Sequence, residues 1–171
     1  MSSDADAPPE VMWEGKYIRA IKRGRWEYAS RTRNIGAVAI VAEVDGKIIL
    51  VEQPRVATGK RCIELPAGLV GDEDESEGVE ATALKELEQE TGYTAERIER
   101  IGEFYASPGM VSEGFTLVRA HGLTKIGDGG GDSSEDIRVH LVARPGIPAF
   151  IEQKRREGFG IDVKLLLFLN A

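Results

Sequence analysis

Apolar and polar positions along the chain predict a sheet built around one hairpin. Two apolar runs, residues 34–44 and 47–53, flank Asp45-Gly46, a dipeptide typical of a tight hairpin turn. The first run is apolar at nearly every position, which predicts a central strand buried on both faces. Further runs with strand-like composition are 16–29 (two short strands turned at Arg23-Gly24), 97–107, 114–123 and 137–142.

The stretch 71–93 changes to a helical pattern. Its apolar residues recur at helical spacing: Val79, Ala83, Leu84 and Leu87. Asp74 followed by Glu77 predicts a capping box at the start, and Gly92 predicts the stop.

Helices are also predicted from Pro148 to Gly158 and over 161–170. Strands interleaved with few helices predict an α+β fold, an α/β/α sandwich with a mixed, mainly antiparallel sheet. At 171 residues we expect one domain, 1–171, with a flexible tail over 1–10 and N-terminal strands over 11–33.

Composition narrows the class of protein. The chain is 42% hydrophobic and 30% charged, which is ordinary for a globular protein. With 22 basic and 29 acidic residues its net charge is −7, which argues against a nucleic-acid-binding surface. The single cysteine, Cys62, fits a reducing compartment, and no apolar run approaches the roughly 20 residues of a membrane span. We therefore expect a cytoplasmic protein that binds neither nucleic acid nor membrane.

The helix in 71–93 carries a row of oxygen donors. Glu86, Gln89 and Glu90 stand at i, i+3 and i+4 and therefore share one face. Clustered carboxylates repel one another unless a cation lies between them, and a hard divalent cation takes oxygen ligands. The row therefore predicts a metal site, in which the amide at position 89 is unexpected.

The spacing in this stretch resembles the box of the Nudix hydrolase superfamily, G-x5-E-x7-R-E-U-x-E-E-x-G-U. The matching positions are Gly71, Glu77, Lys85, Glu86, Leu87, Gln89, Glu90, Gly92 and Tyr93, with lysine replacing arginine at 85 and glutamine replacing glutamate at 89. The resemblance implies a Nudix fold, in which Gly71, Glu77, Lys85 and Gly92 support the box. It also implies that Glu86 and Glu90 bind Mg²⁺, or Mn²⁺, together with Gln89 and the main-chain carbonyl of Ala67.

Four segments outside the box resemble the ADP-ribose and nucleoside-diphosphate-sugar pyrophosphatase branch: 26–31, 51–55, 62–69 and 107–109. The resemblance implies substrate contacts from Trp26, Arg31, Arg55, Glu64, Ser107 and Gly109. Three of these segments also have a plain structural interpretation: packing for the tryptophan, a surface position for Arg55 and a simple turn for 107–109.

Residues 134–139 resemble the segment that carries a general base in this branch. Glu135 is the matching residue, with Asp136 as the adjacent substitute. The glycines between 127 and 131 predict a flexible loop that could close over a substrate.

The resemblance implies metal-dependent hydrolysis of ADP-ribose or a related nucleoside diphosphate sugar, giving a nucleoside monophosphate and a sugar phosphate. Hydrolysis of GDP-mannose or another nucleotide sugar, or a catalytically weak module that binds ADP-ribose, are the alternatives. Three explanations of the glutamine at position 89 are open. The position can be secondary for metal binding, the glutamine can be an engineered replacement of glutamate, or the chain can be a catalytically weak relative. Relatives in this branch are usually homodimers, which would place Trp26 and Arg31 at an interface formed by 11–33.

Overall fold

A computed structural model describes residues 4–33, 35–72, 74 and 76–169. Its strands are β1 (Glu10–Glu14), β2 (Ile18–Arg23), β3 (Trp26–Arg31), β4 (Gly36–Val44), β5 (Lys47–Arg55), β6 (Lys60–Glu64), β7 (Ala67–Val70), β8 (Tyr93–Thr94), β9 (Arg97–Tyr105), β10 (Gly114–His121), β11 (Thr124–Lys125), β12 (Arg138–Ala143) and β13 (Gly160–Ile161). The α-helices are α1 (Val79–Glu86) and α2 (Ile147–Arg156). Shorter helical turns cover Asp4–Asp6, Val56–Thr58, Leu87–Thr91, Arg144–Gly146 and Val163–Phe168.

The main sheet is mixed, as predicted. Its strand order is β13-β6-β5-β4-β10-β9, with β12 paired to β5 and β7 paired to β4. The β4–β10 and β13–β6 pairs are parallel, and the other pairs of this sheet are antiparallel. β1, β2 and β3 form a separate antiparallel sheet.

β4 is the central strand, and it is buried on both faces. Ala39 and Val41 belong to one apolar cluster, whereas Val38, Ile40 and Ala42 belong to another. Because successive side chains of a strand point to opposite faces, the two clusters lie on opposite sides of the sheet. The central strand predicted from its continuous apolar run is therefore confirmed.

Helices cover both faces and complete the predicted sandwich. Ile147 and Ile151 of α2, with Leu165 and Phe168, pack into the first cluster. Ala83 of α1 and Leu87 pack into the second. The α1 helix therefore lies against the sheet on one side. Glu86 is its last residue, and Gln89 and Glu90 lie in the turn Leu87–Thr91 that follows.

The start of α1 differs from the sequence prediction. The helix begins at Val79 with Gly78 at the N-cap and no side-chain cap. Asp74 instead accepts hydrogen bonds from the main-chain N–H and the hydroxyl of Ser76, at 2.8 and 2.7 Å. A short side chain that bonds its own neighbours offers the backbone an alternative to the helix, so the predicted capping box does not form.

Described residues near both ends of the chain form short elements. Within the predicted tail, Asp4 accepts a hydrogen bond from Arg25 Nε at 3.0 Å, and β1 begins at Glu10. Near the other end, the predicted helix over 161–170 is a 3-10 turn at Val163–Phe168. Among the described residues, no helix is both long and apolar enough to cross a membrane.

Candidate active site

The acidic row faces a cleft between α1 and β7. A cavity of about 300 Å³ is lined by Gln53, Arg55, Ala67, Gly68, Leu69, Asp72, Glu77, Lys85, Glu86, Gln89, Glu90, Asp132 and Glu135. The three predicted catalytic carboxylates, Glu86, Glu90 and Glu135, therefore meet in one cavity. They come from the helix and from a loop more than 40 residues further along the chain, so their meeting depends on tertiary structure.

Glu90 is the buried member of this group. Its side chain lies in a π-helical turn, Leu87–Thr91, that continues α1, and only 3% of the residue is exposed. It accepts a hydrogen bond from the Ala67 N–H at 3.0 Å. Burial raises the pKa of Glu90 to about 8, and the nearby Glu86 and Glu135 carboxylates add to the rise. The Ala67 N–H and Arg55 act in the opposite direction.

Gly68 lets Glu86 lie close to β7. A Cβ built on Gly68 would overlap the Glu86 carboxylate. The absence of a side chain at position 68 therefore makes room for the Glu86 carboxylate. Gln89, in contrast, is exposed at the edge of the cavity.

Arg55 joins this cavity to a larger one. A second cavity of about 650 Å³ shares Arg55, Ala67, Gly68 and Leu69 with the first. Glu64, which is 5% exposed, accepts hydrogen bonds from Arg55 Nε and Nη2, both at 2.7 Å. This bidentate pair holds the guanidinium at the junction of the two cavities.

The larger cavity also contains Arg31, which is paired with Glu113. Thr58, Cys62, Asp162 and Lys164 contribute to its wall as well. Sequence reasoning missed Glu113, because a single acid after a turn carries no local signal. Asp132 was missed too, although Asp132-x-Ser134 is a recognisable side-chain turn, in which Asp132 accepts from the Ser134 N–H at 2.6 Å.

Trp26 and Gly109 lie in a third cavity, of about 320 Å³. Tyr28, Arg23 and Pro108 are among its other lining residues. Ser107 accepts hydrogen bonds through its carbonyl from the Met110 and Val111 N–H groups, both at 3.0 Å, which closes the turn that presents Gly109. The predicted substrate residues therefore divide into two groups. Arg31, Arg55 and Glu64 line the larger cavity, which Arg55 shares with the acidic one, whereas Trp26 and Gly109 line the third cavity.

The glycine-rich loop before Glu135 packs on the end of the helix. Gly130 and Gly131 donate main-chain hydrogen bonds to the carbonyls of Glu90 and Gln89, both at 2.9 Å. Gly129 has φ +70°, and a Cβ there would lie 2.7 Å from the Glu90 carbonyl oxygen. Gly129 thus permits close backbone approach, and Gly130 and Gly131 satisfy carbonyls at the helix end, whereas the sequence suggested only flexibility.

Gly71 and Gly92 flank the helix, and both have positive φ, 81° and 71°. Gly92 forms the predicted left-handed stop, and a Cβ there would overlap the carbonyl of Gly127. Glu77 and Lys85 line the acidic cavity. Two of the four supporting box residues therefore lie at the cavity, and the two glycines lie on either side of the segment that carries the acids.

The sandwich fold and the acidic cleft together define a class of protein. Comparison of the chain with known protein families identifies that class. The model of the NUDIX domain matches residues 32–145, so the chain belongs to the Nudix family and has the predicted Nudix fold.

One relative bears on the branch within that family. The chain is 48% identical over 111 residues to the ADP-ribose pyrophosphatase of Bacillus subtilis (strain 168), a match that covers 61% of this chain and 58% of that enzyme. The chain thus spans less than two thirds of that enzyme's length. The predicted resemblance to the ADP-ribose pyrophosphatase branch is confirmed.

Two further matches cover a larger share of both compared chains. The methanol dehydrogenase activator of Bacillus methanolicus is 37% identical over 154 residues, with 85% of this chain and 82% of that protein covered. A solved structure described as an ADP compounds hydrolase superposes with a TM-score of 0.68 at 23% identity, covering 85% of this chain and 80% of that one. At this identity the structural likeness supports the fold.

Proposed function

We propose that the chain hydrolyses the pyrophosphate bond of ADP-ribose or a related nucleoside diphosphate sugar. The products are a nucleoside monophosphate and a sugar phosphate. The observation that carries this proposal is the meeting of Glu86, Glu90 and Glu135 in a cavity that opens, past Arg55, into a larger one. A diphosphate at the junction would leave a nucleoside or sugar on the side of the larger cavity.

A divalent cation, Mg²⁺ or Mn²⁺, fits the donors in this cleft. Among the described residues, no three His, Cys, Asp or Glu side chains are grouped to hold a metal by themselves. Mg²⁺ does not require such a group, because it commonly takes one or two carboxylates and completes its shell with water and substrate phosphates. Burial beside two more carboxylates raises the pKa of Glu90 to about 8, and a bound cation would favour its ionised form.

We assign the metal-binding oxygens to Glu86, Glu90, the Ala67 carbonyl and the edge residue Gln89. A bound cation would neutralise phosphate oxygens and lower the pKa of a coordinated water. The chain's own residues do the rest. Arg55 binds the diphosphate through its guanidinium, which Glu64 orients, and Glu135 accepts the proton from the attacking water.

The side chain at Glu135 suits the role of base better than Asp136. Glu135 lines the acidic cavity. The Asp136 carboxylate instead accepts a hydrogen bond from Arg61, and neither residue lines that cavity. Glu135→Gln should therefore lower kcat by about 100-fold or more, whereas Asp136 is not expected to act as a base.

The decisive experiment is a substrate panel with the full chain. ADP-ribose, GDP-mannose and other nucleoside diphosphate sugars are incubated with Mg²⁺ or Mn²⁺, and the products are separated by ion-exchange chromatography. We expect AMP and ribose 5-phosphate from ADP-ribose. Glu86→Gln and Glu90→Gln should abolish turnover, and Glu88→Gln, an exposed neighbour on the same turn, should not. Unchanged turnover in the first two variants would refute the assignment.

The alternative of a binding module is tested in the same series. Gln89 is exposed at the cavity edge, whereas Glu90 is buried within it, which favours a secondary role for position 89. Calorimetry with ADP-ribose separates the two functions. Tight binding without product, even in Gln89→Glu, would favour the binding module.

We further propose a cytoplasmic homodimer. The β1–β3 sheet exposes large apolar side chains: Val11, Met12, Trp13, Tyr17, Ile18 and Trp26. A second subunit covering this sheet would bury them, and residues 11–33 would then form the dimerisation element of a single-domain chain. The free, buried Cys62 suits a reducing compartment. If sedimentation shows a monomer with full activity, the proposed homodimer is refuted.

A further inference from the structure

The loop that carries Glu135 is attached at two points, one on each side of that residue. The first lies before it, where Gly130 and Gly131 donate hydrogen bonds to the carbonyls of Glu90 and Gln89. Within the loop, the Asp132 N–H donates to Glu135 Oε2 at 3.1 Å. These contacts tie the start of the loop to the helix that bears the other two carboxylates.

The second point is the residue directly after Glu135. Arg61 of β6 forms an ion pair with the Asp136 carboxylate through Nη1. Its Nη2 donates to the main-chain carbonyl of Asp136 at 3.0 Å. The guanidinium therefore holds both the side chain and the backbone at position 136.

Arg61 is itself fixed by a buried carboxylate. Its Nε donates to Glu52 Oε1 at 2.7 Å, and Glu52 is only 2% exposed. Glu52 is also within reach of His140 Nε2 at 3.0 Å, Lys154 Nζ at 3.6 Å and Arg138 Nη1 at 3.7 Å. Arg61 thus reaches from the interior of the sheet to the loop.

The carboxylates of Glu52 and Asp136, which Arg61 connects, are both stabilised in the ionised form. Burial raises the pKa of Glu52, but hydrogen bonds from Arg61 and His140 outweigh it and hold the pKa below its usual value. The hydrogen bond from Arg61 likewise lowers the pKa of Asp136. Both ion pairs therefore persist at neutral pH, which keeps the guanidinium in place.

We propose that Arg61 is a positioning residue, which fixes the loop through Asp136 so that Glu135 stays beside Glu86 and Glu90. The inference rests on the proposed function, in which Glu135 is the general base. A purely structural role, neutralising Glu52, is the competing explanation. His140, Lys154 and Arg138 also lie near Glu52, so that role is shared, whereas the contact with Asp136 leads directly to the loop.

Two variants and one control separate the explanations. Asp136→Ala removes the side-chain contact with the loop and leaves the pair between Arg61 and Glu52 intact. Arg61→Lys keeps a positive charge beside Glu52 but lacks the fork that reaches two partners. Lys154→Gln is the matched control, since it removes a cation 3.6 Å from Glu52 without touching the loop.

We expect Asp136→Ala and Arg61→Lys to lower kcat by about tenfold, a part of the factor that a general base contributes. KM for ADP-ribose and the Mg²⁺ concentration for half-maximal activity should stay within about twofold, because the binding groups are unchanged. In the Glu135→Gln background the same substitutions should have no further effect on kcat, since they act through Glu135. Lys154→Gln should leave kcat unchanged in both backgrounds.

Hydrogen exchange of the peptide spanning 127–137 gives a second readout that needs no substrate. Exchange should be faster in Asp136→Ala than in the wild-type protein and unchanged in Lys154→Gln. The proposal is overturned if kcat falls equally in both backgrounds, if Lys154→Gln has the same effect, or if exchange does not change. A wild-type protein that cleaves no substrate of the panel refutes the proposed function instead, and the exchange result then decides on its own whether Arg61 holds the loop.

Discussion

Replacing Glu90 with glutamine should stabilise the metal-free protein at alkaline pH while abolishing its activity. The carboxylate is almost fully buried, and its pKa rises from an ordinary 4.5 to about 8. Below about pH 4.5 both the folded and the unfolded chain hold the proton, so the site costs nothing. Between about 4.5 and 8 the unfolded chain releases the proton first, so stability falls as pH rises. Above about 8 the full cost is present.

The size of the cost follows from the two pKa values. At about 1.4 kcal/mol per pH unit the difference corresponds to roughly 5 kcal/mol, an upper limit because water and counterions relax around the charge. A third of this value would change the melting temperature of a chain of this length by about 3–6 °C. The amide of Glu90→Gln stays neutral, and its oxygen can still accept from the Ala67 N–H.

The assay is thermal unfolding in EDTA from pH 5 to 9. Glu90→Gln should melt at a similar temperature to the wild-type protein at pH 5 and at a progressively higher one towards pH 9. Added Mg²⁺ should stabilise the wild-type protein more than the variant. Glu88→Gln serves as the control, because that neighbour is exposed. The inference that burial raises the pKa of Glu90 would be refuted by a difference in melting temperature that does not vary with pH. A variant that is less stable than the wild-type protein at pH 9 would refute it as well.

Three further predictions concern residues that line the acidic cleft. Gly68→Ala should lower kcat by about 10–100-fold by displacing Glu86, a loss typical of a misplaced catalytic group, and steady-state kinetics beside a melting curve checks that folding survives. Arg55→Lys should raise KM by about tenfold, since it loses the bidentate contact with Glu64 and at least one charge-assisted hydrogen bond; an unchanged KM would place the diphosphate elsewhere. Gln89→Glu should change Mg²⁺ activation only slightly, which a titration of rate against Mg²⁺ measures, and a large gain would make position 89 a principal ligand.

Local patterns predicted the elements whose chemistry is local. The hairpin at Asp45-Gly46 forms as expected, with positive φ at both residues, 49° and 71°. Gly92 ends the helix as expected for the same reason, since glycine adopts the left-handed conformation at little cost. The prediction failed where alternatives compete locally, as at Asp74, whose side chain bonds Ser76 and delays the helix to Val79.

Other features carry no specific local signal. β1, Glu10–Glu14, lies largely within the N-terminal strands predicted over 11–33, but the pattern did not resolve it as a separate strand. It is exposed at every residue and pairs with β2. The π-helical turn at Leu87–Thr91 has no sequence signature either, although both Glu86 and Glu90 still line the cleft. That turn contacts a loop distant in sequence, whose Gly130 and Gly131 donate hydrogen bonds to the carbonyls of Glu90 and Gln89.

The sequence by itself determined the kind of chemistry, because the spacing of Glu86 and Glu90 places both acids on one turn of helix whatever surrounds them. Only the tertiary structure decided which acid is buried, since burial comes from β7 and from a loop more than 30 residues away. It also separated Trp26 from Arg31 and joined Arg61 to the loop of Glu135. Spacing along a helix is set by backbone geometry, whereas burial, charge pairing and cavity shape are set by contacts between segments that are far apart in the chain.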